Sequence, residues 1–247
     1  DLHRVDPRQR QMCIRDRNCI GEAMTLLKVL HVTESYAPSG GIEHYVRSIV
    51  SLLHDHGHDS VVVHRKPEAA ATPSAGERVY CLPFRSAGRQ ALEIIQNVVS
   101  SERPDVAFLH AVYDAETVIS VAKWLPTAAY VHGFYPVCPG LGKYYRRGDT
   151  LCQRPFGPGC VPMIYLRRCA TARHPRSVYR IMRNTASLRT AYASLPAVIV
   201  GSGYMGRLLV QNGFEQSRIT ILPPHFSALP LPEPEAPGNG NNILFSG

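Results

Sequence analysis

The clearest pattern of apolar and polar positions lies near the start of the chain, over residues 26–53. Residues 26–32 are apolar apart from Lys28 and His31, which is the length of a buried strand. Pro38-Ser39-Gly40-Gly41 breaks that run, and Ile42, Tyr45, Val46, Ile49, Val50 and Leu53 then recur at helical spacing. The alternation repeats downstream. Asp59-Ser60 leads into an apolar strand at 61–63 that ends in His64-Arg65, and 66–77 reads as a surface loop. The pattern then predicts a strand at 79–82, a helix at 90–101, a strand at 105–110, a helix at 115–124 and a strand at 127–132. Near the far end come a strand at 197–200, Gly201-Ser202-Gly203, a helix through Gln211 that stops at Asn212-Gly213, and a strand at 218–222. Strands and helices in turn predict an α/β fold, a Rossmann-like parallel sheet with helices on both faces. Ligands of such folds bind outside the carboxyl ends of the strands.

Residues 133–160 interrupt the alternation with an irregular insertion of six glycines, four prolines and three cysteines. Loops this long are functional or disordered, and Tyr144, Arg146 and Arg147 suit recognition of a sugar or phosphate; a solvated flap is the alternative. Helices are expected at 162–171 and 175–194, the second with Pro175 in its first turn. On it Arg176, Arg180 and Arg183 share one face, with Tyr179 and Met182 placed nearer the face of Leu188 and Tyr192. Such a stripe fits an anionic membrane surface or an ordinary solvated face.

Charge sharpens this picture. The 247 residues carry a formal charge of +8, and residues 143–189 hold eleven Lys or Arg against the single acid Asp149. No nucleic-acid motif accompanies the charge, so nucleic acid is not an expected partner. No apolar stretch approaches the roughly 20 residues that span a bilayer, which leaves a soluble, cytoplasmic protein, peripheral on the inner membrane face at most. Seven cysteines, an odd number without a secretory signal, imply a reducing compartment and mostly free thiols. Cys138, Cys152, Cys160 and Cys169 offer a zinc alternative, but they lack paired C-x-x-C spacing, so no metal is expected.

The Arg-rich residues 1–23 share no periodicity with the rest and read as a non-native or disordered leader; 11–17 resembles translated adaptor sequence and Met24 is the expected natural start. One domain is expected over 24–222, with the insertion and basic helices occupying 133–195. A Pro/Gly-rich linker follows over 223–241, and 242–247 reads as the first strand of a second domain.

Three features carry candidate chemistry. Gly40 and Gly41 let the backbone approach a ligand with no Cβ in the way, and the N–H groups at the helix start favour an anion, though a plain tight turn has the same sequence. His110 and His132 stand at the carboxyl ends of two strands, where ligand contact competes with a structural role. No G-x-G-x-x-G follows the first strand and no acid ends the second, which counts against a dinucleotide cofactor.

The order of these pieces resembles the amino-terminal half of glycosyltransferase family 4, the retaining sugar transferases of the GT-B fold. The likeness rests on Pro38-Ser39-Gly40-Gly41-Ile42-Glu43, on Tyr130-Val131-His132, on 198–202 with Asn212-Gly213 and 219–223, and on Ile243-Leu244-Phe245-Ser246-Gly247. The resemblance implies a nucleotide-sugar donor bound mainly by a second domain and a glycan or lipid-linked acceptor bound mainly by the first, with no further cofactor. It implies Gly40 and Gly41 near the donor phosphates, His132 as the catalytic residue facing the reacting sugar, and Glu43, His110 and Ser202 on the cleft wall. It also implies work in polysaccharide or lipid-linked glycan assembly. With the family's paired glutamates expected in the second domain, the chain by itself is expected to be inactive. The rival readings are a nucleotide-sugar epimerase of the same fold and a non-catalytic module that binds anions or membrane surfaces.

Overall fold

The computed structural model describes residues 26–37, 40–65, 77–82 and 88–224. The leader, Pro38-Ser39, the loop at 66–76 and everything from residue 225 on, including most of the expected linker and the final strand, lie outside them.

Among the described residues, seven parallel strands form the main sheet: β1 (Lys28–Thr33), β2 (Asp59–His64), β3 (Glu77–Cys81), β4 (Val106–His110), β5 (Thr127–Val131), β8 (Ala197–Val200) and β9 (Ile219–Ile221). Their order across the sheet is β3-β2-β1-β4-β5-β8-β9, so the chain runs outward one way from β1 and then returns to build the other side. The helices between them are α1 (Gly41–Asp55), α2 (Arg89–Glu102), α3 (Ala115–Trp124), α4 (Cys160–Leu166), α5 (Pro175–Ala193) and α6 (Gly203–Gln211). Among the described residues no helix is long and apolar enough to cross a membrane.

Strand periodicity divides the core in two. Leu30, Val61, Leu109, Ala129 and Val198 face one way, against α2, α3, α5 and α6, in the larger apolar cluster. Val62, Phe108 and Tyr130 face the other way, against Tyr45, Val46 and Val50 of α1. Both faces are therefore covered by helices, as parallel strands require when each carries apolar side chains in both directions.

Local sequence fixes several helix starts. Asp114 caps α3 by accepting the backbone N–H of Thr117 at 3.0 Å, and Ser202 caps α6 by accepting that of Met205 at 3.3 Å. Pro175 opens α5, where its missing N–H leaves nothing unpaired. The chain leaves α6 through Gly213, whose φ of +89° suits glycine.

The insertion is folded and not a solvated flap. It contains a short antiparallel pair, β6 (Tyr144–Tyr145) and β7 (Thr150–Leu151), and it buries Tyr135, Val137, Cys138, Lys143 and Tyr145. Gly140 lies so close to the Cys169 carbonyl that a Cβ would overlap it, which clamps the insertion onto the segment after α4. That helix is shorter than the expected 162–171. It ends before Arg168, whose φ of +53° turns the chain away from helical geometry.

Candidate functional site

The carboxyl ends of β1, β4 and β5 lie side by side, and their side chains on the α1 face form a layer of rings. His31 and His110 are buried in adjacent strands, with His31 Nδ1 and His110 Nε2 3.2 Å apart and Ser60 Oγ 3.4 Å from His31 Nε2. His132 stands one residue beyond β5. Its ring centroid is 4.4 Å from that of Tyr130, 5.0 Å from that of Tyr45 and 5.8 Å from that of His110. Two nitrogens in this layer, His110 Nδ1 and His132 Nε2, are buried and have no hydrogen-bond partner among the described residues.

Burial sets the protonation of the layer. It pushes the His132 imidazole down to about 4 and that of His31 down to about 3. His110 is driven well below its ordinary value by burial first, then by its two histidine neighbours. All three rings are thus neutral near pH 7. A neutral imidazole both donates and accepts a hydrogen bond, which suits it to position a hydroxyl. A pKa near 4 suits it poorly to take a proton at neutral pH.

His132 and Ser202 come together, as sequence alone places them only by analogy. They line one cavity of about 160 Å³ with Tyr130, Gly201, Met205 and Pro224. The Ser202 hydroxyl is engaged as the cap of α6, so its first duty is structural. Tyr130 holds the far wall by donating its hydroxyl to the Leu222 carbonyl at 2.9 Å.

At the amino end of α1, Glu43 folds its carboxylate back against Gly40, where a Cβ would come within 2.5 Å of Oε2. Gly41 has open space on its Cβ side. An anion at this helix start would meet the Glu43 carboxylate, so Glu43 opposes the charge that the free N–H groups attract. Glu43 also lies close enough to Tyr113 to help raise that phenol's pKa, after burial and Glu34.

Tyr113 and Tyr135 meet edge to face at 4.9 Å and wall a second cavity, of about 400 Å³, beyond the ends of β4 and β5. Tyr135 donates to the Tyr192 hydroxyl at 3.3 Å, which donates to the Val112 carbonyl at 2.9 Å. This buried chain fixes α5 and both loops to one another. Arg146 reaches the same cavity and also a third, of about 600 Å³, that it lines with Arg147, Arg168 and Arg173.

Several sequence expectations are corrected. His110 is fully buried behind His132 and is not part of a cleft wall. Tyr144 faces a small cavity of about 20 Å³ with Cys138, Cys152, Cys160 and Cys169 and does not join Arg146 and Arg147. Among the described residues no group of three or more His, Cys, Asp or Glu could hold a metal ion. Burial raises the Cys160 and Cys169 thiols, and Cys152 donates to the Tyr145 hydroxyl at 3.2 Å. Arg176, Arg180 and Arg183 are exposed along α5, but Tyr179 stands beside them at 68 % exposure, not on the face of Leu188 and Tyr192.

Sequence reasoning missed His31, Tyr113, Tyr135, Arg168 and Arg173. His31 left a signal as the polar break in an otherwise apolar strand interior. The others left none beyond composition, since each depends on where the insertion folds.

The model of the glycosyl transferase 4-like domain matches residues 40–225. A search of curated proteins found no match. Among solved structures, the chain is similar to a glycosyltransferase from Rickettsia africae, with a TM-score of 0.48 and 12 % identity over 81 % of this chain and 43 % of that one. It is similar to the UDP-GlcNAc 2-epimerase of Methanocaldococcus jannaschii (0.41, 13 %, over 79 % and 45 %). It is also similar to Anabaena HepE in complex with UDP-glucose (0.43, 13 %, over 81 % and 44 %). The chain spans less than half the length of each.

Proposed function

Since this chain belongs to the glycosyl transferase 4-like domain family, we propose that it is the acceptor-side domain of a retaining glycosyltransferase that moves a sugar from a nucleotide-sugar donor to a glycan or lipid-linked acceptor. The observation that carries the reading is His132. Its imidazole is held neutral by burial, its Nε2 has no hydrogen-bond partner among the described residues, and it stands at the carboxyl end of β5 on a cavity shared with the start of α6.

The chemistry asked of this half is positioning. A retaining transfer needs the sugar held while its bond to the diphosphate breaks, and a hydroxyl of the acceptor brought to the same carbon. Neutral His132 would hold a sugar hydroxyl by hydrogen bond without moving a proton itself. The amino ends of α1 and α6 would offer partial positive charge to a departing diphosphate, with Gly40 and Gly41 at the first of them and the Glu43 carboxylate set against it. Tyr113 would carry the acceptor, since its half-exposed ring lies past the end of β4 with the buried Tyr135 packed behind it. The charge that completes diphosphate stabilisation is expected from a donor-binding domain.

The test is a transfer assay on the complete gene product with a panel of nucleotide sugars and polyprenyl-phosphate or glycan acceptors. Transfer that falls about 100-fold in His132→Ala with unfolding unchanged supports the reading. Turnover indifferent to that substitution overturns it. Rearrangement of the donor sugar without any acceptor also overturns it, in favour of an epimerase.

A further inference from the structure

The arginine-lined cavity is used by nothing described so far. Its four side chains come from two separate segments, 146–147 in the insertion and 168–173 after α4. The backbone N–H of Arg147 donates to the Arg167 carbonyl at 3.0 Å, which holds the segments together. Arg173 is fixed in place: its Nη1 donates to the carbonyls of Ile164, Ala170 and Ala172 at 3.2, 2.6 and 2.9 Å. Arg168 takes a left-handed φ of +53°, unfavourable for a side chain with a Cβ, and that turn carries it to the same cavity. Among the described residues none of the four forms an ion pair, and no acid lines the space.

Four exposed arginine side chains line this space without a counter-charge, and their summed positive potential favours an anion bearing more than one charge. Guanidinium groups match phosphate oxygens with paired N–H donors, and a cavity of about 600 Å³ has room for a diphosphate. Arg146 also lines the cavity walled by Tyr113 and Tyr135, so the two spaces are neighbours. A molecule seated with its phosphate among the arginines would extend past the tyrosines toward the ends of β4 and β5.

The geometry points to a binding site for the phosphate or diphosphate group of a phosphorylated acceptor, held by Arg146, Arg147, Arg168 and Arg173 with the adjoining sugar or isoprenoid against Tyr113 and Tyr135. This rests on the transferase reading for the word acceptor, and on the arginine geometry alone for the anion. The shared ligand chemistry is a phosphate ester, from either a water-soluble sugar phosphate or a lipid diphosphate.

The experiment titrates inorganic pyrophosphate and farnesyl diphosphate into the complete gene product by calorimetry. It compares wild type, the Arg146→Gln/Arg168→Gln pair and, as a control, the Arg176→Gln/Arg180→Gln pair on α5. The expected result is binding of both probes, weakened at least tenfold in the first pair and unchanged in the control. Tighter binding of farnesyl diphosphate than of pyrophosphate assigns a lipid source, and equal binding a soluble one. Equal weakening in both pairs, or no pyrophosphate binding, overturns the site. So does binding to phosphatidylglycerol vesicles that the first pair leaves intact while pyrophosphate fails to bind. Transfer that continues in the first pair with an unchanged acceptor KM overturns the inference but not the transferase reading. Pyrophosphate binding at these arginines in a protein with no transfer does the reverse.

Discussion

Glu43 turns its carboxylate onto Gly40, the residue that opens α1, and so places a negative charge where the helix start would otherwise receive an anion. Removing that charge is expected to favour phosphate. In Glu43→Gln, the phosphate concentration that half-saturates the chemical shift of the Gly41 amide should fall about 2- to 5-fold, the effect of one charge at a helix end. A Gly41 amide that ignores phosphate in both proteins would remove the donor-phosphate role of this turn.

The buried histidines make stability depend on acid. His31, His110 and His132 all have folded pKa values below the ordinary 6.5. The unfolded chain therefore binds protons that the folded one excludes, so stability is complete above about 6.5 and is lost as pH falls toward 4 and 3. Between pH 6 and 5 the fully buried His31 and His110 should each add to the slope, on the order of 1 kcal/mol per pH unit. Denaturant melts at stepped pH measure it. His110→Phe, which keeps a ring beside Phe108, should flatten the slope, and an unchanged slope would locate the acid sensitivity elsewhere.

Ser202 shares the His132 cavity, yet its hydroxyl caps α6. Ser202→Ala is expected to lower unfolding free energy by about 1 kcal/mol and to leave the KM for donor and acceptor within twofold. A large rise in KM with little change in the denaturation midpoint would show that the hydroxyl serves a ligand first.

Gly140 passes so close to the Cys169 carbonyl that even one methyl group is excluded. Gly140→Ala should cost about 1–3 kcal/mol, because the Cys169 carbonyl that the new Cβ would meet is backbone and cannot swing aside. It should also raise the acceptor KM, since Gly140 lines the tyrosine cavity. Thermal melting with kinetics on the same variant checks both.

Legibility in the sequence followed the length of each repeating pattern. The strand at 197–200 and the helix at 115–124 coincide with β8 and α3, and the helix read through Gln211 ends where α6 does, because a run of buried positions at a regular period marks type and extent. The insertion had no such period. Its strands are two residues each, too short to leave an alternation, and Gly140 is explained only by Cys169, 29 positions further along the chain.

The sequence by itself determined an α/β fold, the position of His132 at a strand end, the glycines before α1 and the concentration of basic residues after residue 143. Each is a local property, set by side-chain order along a few turns or strands. Only the tertiary structure decided that His110 lies buried behind His132, that Glu43 covers Gly40, that Tyr113 and Tyr135 wall one cavity, and that Arg146 and Arg147 meet Arg168 and Arg173. Those relationships join segments brought together by sheet order and by the folding of the insertion, and packing between distant parts of a chain leaves no periodic mark in either partner.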